Sequence, residues 1–132
     1  MKRKQSLKTL KAKAWKLFSE YVRRSASDEG GTLRCYTCGK LLYWKEAHAG
    51  HFVGGRKNAV LFNEEVVRPQ CVGCNIFLGG NYQQYTLRMI REVGEEKVEQ
   101  LLALRYKVLK LTRSDIEDLI EVYTNKLKIL DR

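Results

Sequence analysis

The chain has 132 residues, 44% of them hydrophobic, and a formal net charge of +10. That length suits one domain over 1–132 with a modest core, and a single proline without any Ser/Gly/Pro-rich tract provides no linker to divide it. No run approaches the roughly 18 apolar residues that span a bilayer, and no apolar segment follows the basic N-terminus as in a signal peptide, so a cytoplasmic protein without membrane contact is expected.

The charge is uneven along the chain. Residues 1–27 hold nine Lys/Arg against one acid, residues 28–60 hold five against three, and the two later segments, 61–93 and 94–132, cancel. Such a localised excess fits either a polyanion partner or a solvated lysine face. Within 1–27, a helix is predicted over 6–25, because Leu7, Leu10, Ala14, Leu17, Phe18 and Tyr21 recur at steps of three and four. Asp28-Glu29-Gly30-Gly31 supplies the turn that ends it. Thr32–Tyr36 and Leu41–Trp44 read as strands around the turn Thr37-Cys38-Gly39. Ala49–Val53 leads into a basic loop, Gly54–Asn58, and Ala59–Phe62 reads as another strand.

After Gly79-Gly80, Asn81 is placed to cap a helix to about Glu92, with Gly94 as its stop. Residues 95–110 form a further helical pattern through Val98, Leu101, Leu102 and Leu109. A last helix begins near Thr112 or Ser114, where Ser114-Asp115-Ile116-Glu117 fits a capping box, and carries the stripe Ile116, Leu119, Ile120, Tyr123, Leu127 and Leu130. Three parts result: a basic N-terminal helix (1–27), a central core (32–93) and a helical C-terminal part (95–132).

The four cysteines form two pairs, Cys35-x2-Cys38 and Cys71-x2-Cys74, with 32 residues between them. Two such pairs in glycine-containing turns supply four thiolates, the ligand set of a closed, structural Zn²⁺ site. The alternative, two redox pairs, lacks a thioredoxin-like βαβ pattern to support it. Both histidines, His48 and His51, lie in the loop that such a zinc would close, and Asn75 follows the last cysteine.

The ordered text Cys35-Tyr-Thr-Cys38-Gly39, Ala49-Gly50-His51-Phe52, Arg68-Pro69-Gln70-Cys71-Val-Gly-Cys74-Asn75 and Gly79-Gly80-Asn81 with Tyr85 resembles the NinG/Rap family of lambdoid phage recombination nucleases, which are zinc-containing, endonuclease VII-like HNH enzymes. The resemblance runs from about Lys8 to Gly94. It implies an α+β fold with a zinc-stapled ββα-metal core, in which a β-hairpin bearing His51 packs on a helix starting near Asn75. It also implies His51 as general base and Asn75 as ligand of a catalytic Mg²⁺ or Mn²⁺. Imidazole titrates near neutral pH, as deprotonation of a water requires; a hard cation polarises the phosphate, and an Asn carbonyl oxygen suits it. Two departures stand out: Gly50 occupies the place of a frequent acidic metal ligand, and Val66 that of a frequent asparagine. His48, Glu46 or another oxygen is then needed beside Asn75 for the cation, and Asn63 is the nearest substitute for bracing the His51 loop.

Arg56, Lys57 and Arg68 are the local candidates for phosphate contacts, and Lys8, Lys16 and Arg23 belong to a second basic strip. No base-reading motif stands out, so recognition by DNA shape is expected. The expected activity is structure-selective endonucleolytic cleavage of branched DNA during phage recombination. A catalytically silent zinc DNA-binding module and a less selective HNH nicking nuclease are the alternatives. Symmetric cutting would suit a homodimer, with the N- and C-terminal amphipathic helices as available surfaces.

Overall fold

In the computed structural model, which describes residues 4–131, the first long element is α1 (Leu7–Ser25). Lys2, Arg3 and Arg132, part of the charge count above, lie outside the described residues. The Ser6 hydroxyl caps α1 by accepting the Thr9 N–H at 3.1 Å. Its buried stripe is Leu10, Ala14, Phe18 and Val22 at four-residue spacing, while Leu7 is exposed.

That stripe packs against α5 (Arg113–Leu130). The two helices run side by side in the same direction: Arg113 donates to the Gln5 carbonyl at one end, and Arg24 pairs with Asp131 at the other. Leu10 and Ala14 meet Ile116, and Phe18 stands edge-on to Tyr123 at 5.1 Å. The two apolar faces thus cover each other within one chain.

Between these helices in the sequence come two separate antiparallel ribbons. In the first, β1 (Thr32–Arg34) pairs with β2 (Leu41–Tyr43). In the second, β3 (His48–His51) pairs with β4 (Val67–Gln70), in the register His48 to Gln70, Gly50 to Arg68 and His51 to Val67. The main core gathers Phe18, Phe52, Val60, Val66, Tyr85 and Met89 between the second ribbon and the helices.

Five expectations are corrected. Residues 59–62 are not a strand: Asn58–Leu61 form a single helical turn, α2. Ala59, Val60 and Leu61 are all buried in succession, which one face of a pleated strand does not allow. The helix expected near Asn75 is only a five-residue π-helical turn. Gly73–Phe77 form one wide turn, closed by Leu78 N–H to Gly73 O at 2.9 Å, and Gly79 and Gly80 then reverse the chain at positive φ before α3 (Tyr82–Val93). Asn81 stands at the start of α3, but its side chain turns back to Cys74 instead of capping.

The helical pattern of 95–110 stops early. The helix α4 (Glu95–Leu102) gives way to a 3-10 turn, Ala103–Tyr106. The following segment runs extended, tied by Asn58 Nδ2 to the Leu109 carbonyl, with Leu109 itself exposed. Finally, the capping box of α5 is Thr112 with Asp115, two residues earlier than Ser114 with Glu117. Gly94 does end α3 as expected, at φ 89°.

Candidate functional site

The first ribbon presents Cys35 and Cys38 in the turn between its strands, and the end of β4 leads into Cys71 and Cys74. The four Sγ atoms lie within 4.8 Å of one another. Tetrahedral zinc with bonds of about 2.3 Å needs sulfur–sulfur edges of about 3.8 Å; Cys38 and Cys71 stand 3.7 Å apart. Cys71 Sγ accepts the Cys74 N–H at 3.4 Å, and Cys74 Sγ accepts Asn81 Nδ2 at 3.5 Å. Such donors favour thiolates and orient them. The chemistry of this set fits Zn²⁺, and four sulfurs leave no position for a reacting water. Among the described residues these cysteines are the one cluster of three or more His, Cys, Asp or Glu groups.

His51 closes β3 on the side facing α1. Its ring stacks on Trp15 at 5.2 Å and 19°, and Nε2 lies 3.3 Å from the Leu61 carbonyl. A carbonyl only accepts, so in the neutral ring Nε2 carries the proton and Nδ1 is the basic nitrogen. Burial pushes the imidazole pKa below its ordinary value; the Leu61 carbonyl opposes that shift, and the positive charge of Arg56 adds to it. The Arg56 guanidinium also lies over Trp15, 4.6 Å from the ring centroid. Sequence reasoning missed Trp15, which sits beside the α1 stripe and not within it. The His51 loop is braced by backbone: Phe52 N–H to Val66 O at 2.7 Å. Asn63 instead holds its own turn through Glu65 N–H at 2.9 Å.

Side chains alternate along a strand, so His48 and Gly50 face the opposite way from His51. On that face Asn75 Nδ2 donates to His48 Nδ1 at 3.0 Å, and a Cβ added at Gly50 would lie 3.1 Å from Asn75 Oδ1 and 1.8 Å from Gln70 Oε1. Tyr85, from α3, donates to the Gly50 carbonyl at 2.9 Å. The two proposed cation ligands, His48 and Asn75, are therefore brought together, whereas His51 and Asn75 are on opposite faces of the ribbon. Glu46 is exposed in a 3-10 turn. Gln70, also missed from sequence, is fully buried, and its Oε1 has no hydrogen-bond partner among the described residues. With the His48 Nδ1 lone pair taken by Asn75, the groups this face offers a divalent cation are two amide oxygens, Gln70 Oε1 and Asn75 Oδ1, beside Gly50.

The basic residues divide by how committed they are. Arg56 is exposed beside His51, and Lys8 and Lys16 are exposed on α1. Lys57 reaches the Arg105 carbonyl at 3.0 Å. Arg68 is engaged internally, 3.3 Å from Glu92 and over the Tyr36 ring. Arg23 is half-buried, donating to Ser19 and Trp44 carbonyls. Both arginines thus have partners within the chain. No helix among the described residues is long and apolar enough to cross a membrane.

The family described as NinG, Bacteriophage Lambda NinG protein, matches residues 1–132. Protein ninG of Escherichia phage lambda is 33% identical over 70 residues, covering 52% of this chain and 34% of that protein. Protein ninG of Escherichia phage 933W is 31% identical over 70 residues with the same coverage. The shared stretch thus spans about a third of the length of these curated relatives. No solved structure matches.

Proposed function

We propose that this chain, which belongs to the NinG family of lambdoid phage proteins, is a metal-dependent endonuclease of the HNH type acting on branched DNA. The observation that carries this reading is the environment of His51. A half-buried imidazole is oriented by Trp15 and the Leu61 carbonyl, biased toward its neutral form, and set beside an exposed arginine. That is what a general base working on a phosphodiester needs: a free nitrogen near neutral pH and a cation to hold the phosphate. His51 Nδ1 takes the proton of the attacking water, and Arg56 holds a phosphate oxygen. Asn75 would hold a divalent cation through its Oδ1, joined by His48 once Nδ1 is released from Asn75 Nδ2; such a cation would polarise the phosphate and stabilise the leaving 3′ oxygen from the face of the ribbon opposite His51. With zinc bound, the four cysteines would tie the turn of the first ribbon to the end of the second.

A second reading, a zinc DNA-binding module without catalysis, is favoured by one observation. His51 and Asn75 lie on opposite faces of the ribbon, and Gly50 offers no acidic ligand between them. Incubating the protein with a labelled four-way junction and with linear duplex of the same sequence, in Mg²⁺ or Mn²⁺, separates the readings. Paired cuts in the junction alone are expected. Equal cutting of both substrates indicates a less selective nicking nuclease, and binding without cutting in either metal indicates the silent module.

A further inference from the structure

We propose that the turn at residues 72–78 is an apolar wedge, headed by Phe77, that inserts between unstacked bases at a DNA branch point and so selects branched over linear DNA. The proposal rests on the nuclease reading for DNA as the partner, and on nothing in the chemistry of cleavage.

Single apolar side chains on a surface are ordinary; several in one short turn are not. Val72, Ile76, Phe77 and Leu78 are all exposed, Phe77 to 81% and Leu78 to 64%. No charged residue stands anywhere in 69–87. The turn is also firmly held. Asn75 N–H donates to the Cys71 carbonyl, Leu78 N–H to that of Gly73 and Gly80 N–H to that of Cys74, each at 2.9 Å. Cys71 and Cys74 anchor its base in the cysteine cluster. The Gly80 carbonyl accepts from Gln70 Nε2 at 2.9 Å, which seats the turn on the ribbon face that carries His48 and Asn75. A side chain presented by so constrained a backbone loses little freedom when it is bound.

Charge identifies what covers it. Residues 30–63 and 66–91 hold eight Lys/Arg against one acid, Glu46. Glu64 and Glu65, which lie between these stretches, pair with Lys126 and Lys97. Zinc on four thiolates takes back two positive charges and leaves the excess in place. Two copies of such a surface repel each other, whereas a polyanion is attracted. Nucleic acid combines an anionic backbone with the apolar faces of its bases, and side chains such as Phe, Leu and Ile wedge between base steps. In an intact duplex the wedge must first unstack a step. A branch point already offers unstacked bases, so the same side chain binds there more tightly. That is a physical source of shape recognition in a chain without a base-reading motif.

The test is equilibrium binding of the zinc-loaded full chain to a labelled four-way junction and to linear duplex of the same sequence, by fluorescence anisotropy without added Mg²⁺ or Mn²⁺. Wild type is expected to prefer the junction by roughly tenfold or more. Phe77→Ala should weaken junction binding by about tenfold and leave duplex binding unchanged, the effect of losing one stacked base. Phe77→Trp should keep the preference, and its added indole emission should be quenched by the junction and not by the duplex. Zinc content and circular dichroism establish that each variant is folded. A preference that survives in Phe77→Ala, or is missing in wild type, overturns the proposal. So does a surviving preference in a variant that splits a wild-type dimer in sedimentation, which would make the turn an interface between copies. A Phe77-dependent preference with no cleavage once Mg²⁺ or Mn²⁺ is added would sink the nuclease reading and leave the wedge standing. Junction-only cleavage by Phe77→Ala, undiminished at limiting protein concentration, would do the reverse.

Discussion

At His51, burial, a backbone carbonyl and a neighbouring guanidinium act on one ring, and their signs can be separated. Burial and Arg56 both disfavour the imidazolium, so the basic form persists to lower pH than in an ordinary histidine. By the same linkage, the unfolded chain binds a proton at this position more readily than the folded one. His51 therefore contributes stability that is present above the unfolded pKa and is lost as pH falls through the folded value. Replacing Arg56 with Gln removes the repulsion and raises the His51 pKa. The acidic limb of the cleavage pH profile should then move to higher pH in Arg56→Gln, as a series of single-turnover rates measures; an unmoved limb would show that Arg56 does not act on His51. His51 was legible in the sequence because it stands between two cysteine pairs. Trp15 and Gln70 were not, since their roles follow from α1 crossing the ribbon and from the strand register, neither of which is written in local spacing.

Among the elements, α1 and α5 were legible from their helical period, because each buries one continuous stripe against the other. The failures have physical causes. A short apolar run such as Ala59–Leu61 looks the same whether it is a buried strand or a buried helical turn. The stretch 107–111 carries helix-forming residues, but Asn58, from a distant part of the chain, holds its Leu109 carbonyl. The start of α5 turned on phase. Thr112 Oγ1 accepts the Asp115 N–H at 3.1 Å, and Asp115 accepts the Thr112 N–H at 2.9 Å. Thr112→Ala should therefore lower stability by about 1 kcal/mol, while Ser114→Ala should change it by no more than a few tenths. Urea unfolding followed by circular dichroism compares them, and equal effects would contradict the observed cap.

For the whole molecule, the cysteine cluster joins the turn of the first ribbon to the end of the second, so the middle of the chain depends on it. A small core leaves little else to hold those short strands. Cys38→Ser, or chelation of the metal, should abolish zinc binding and collapse the near-ultraviolet signal of the aromatics around Tyr36 and Tyr85; a zinc-free variant with a native spectrum would refute a structural centre. The cysteine spacing made this staple legible, but the two ribbons it joins had to be seen, because pairing of β3 with β4 is a contact across the loop. The placement of positive charge was also legible, although Arg23 and Arg68 prove to be bound within the fold. In the proposed reading, cleavage of DNA turns on His51. The decisive comparison is cleavage of a four-way junction by wild type and His51→Ala, in Mn²⁺, with junction binding measured in parallel. If His51 is the base, the variant binds as wild type does and cuts roughly two or more orders of magnitude more slowly; undiminished cutting by the variant would remove His51 from the chemistry.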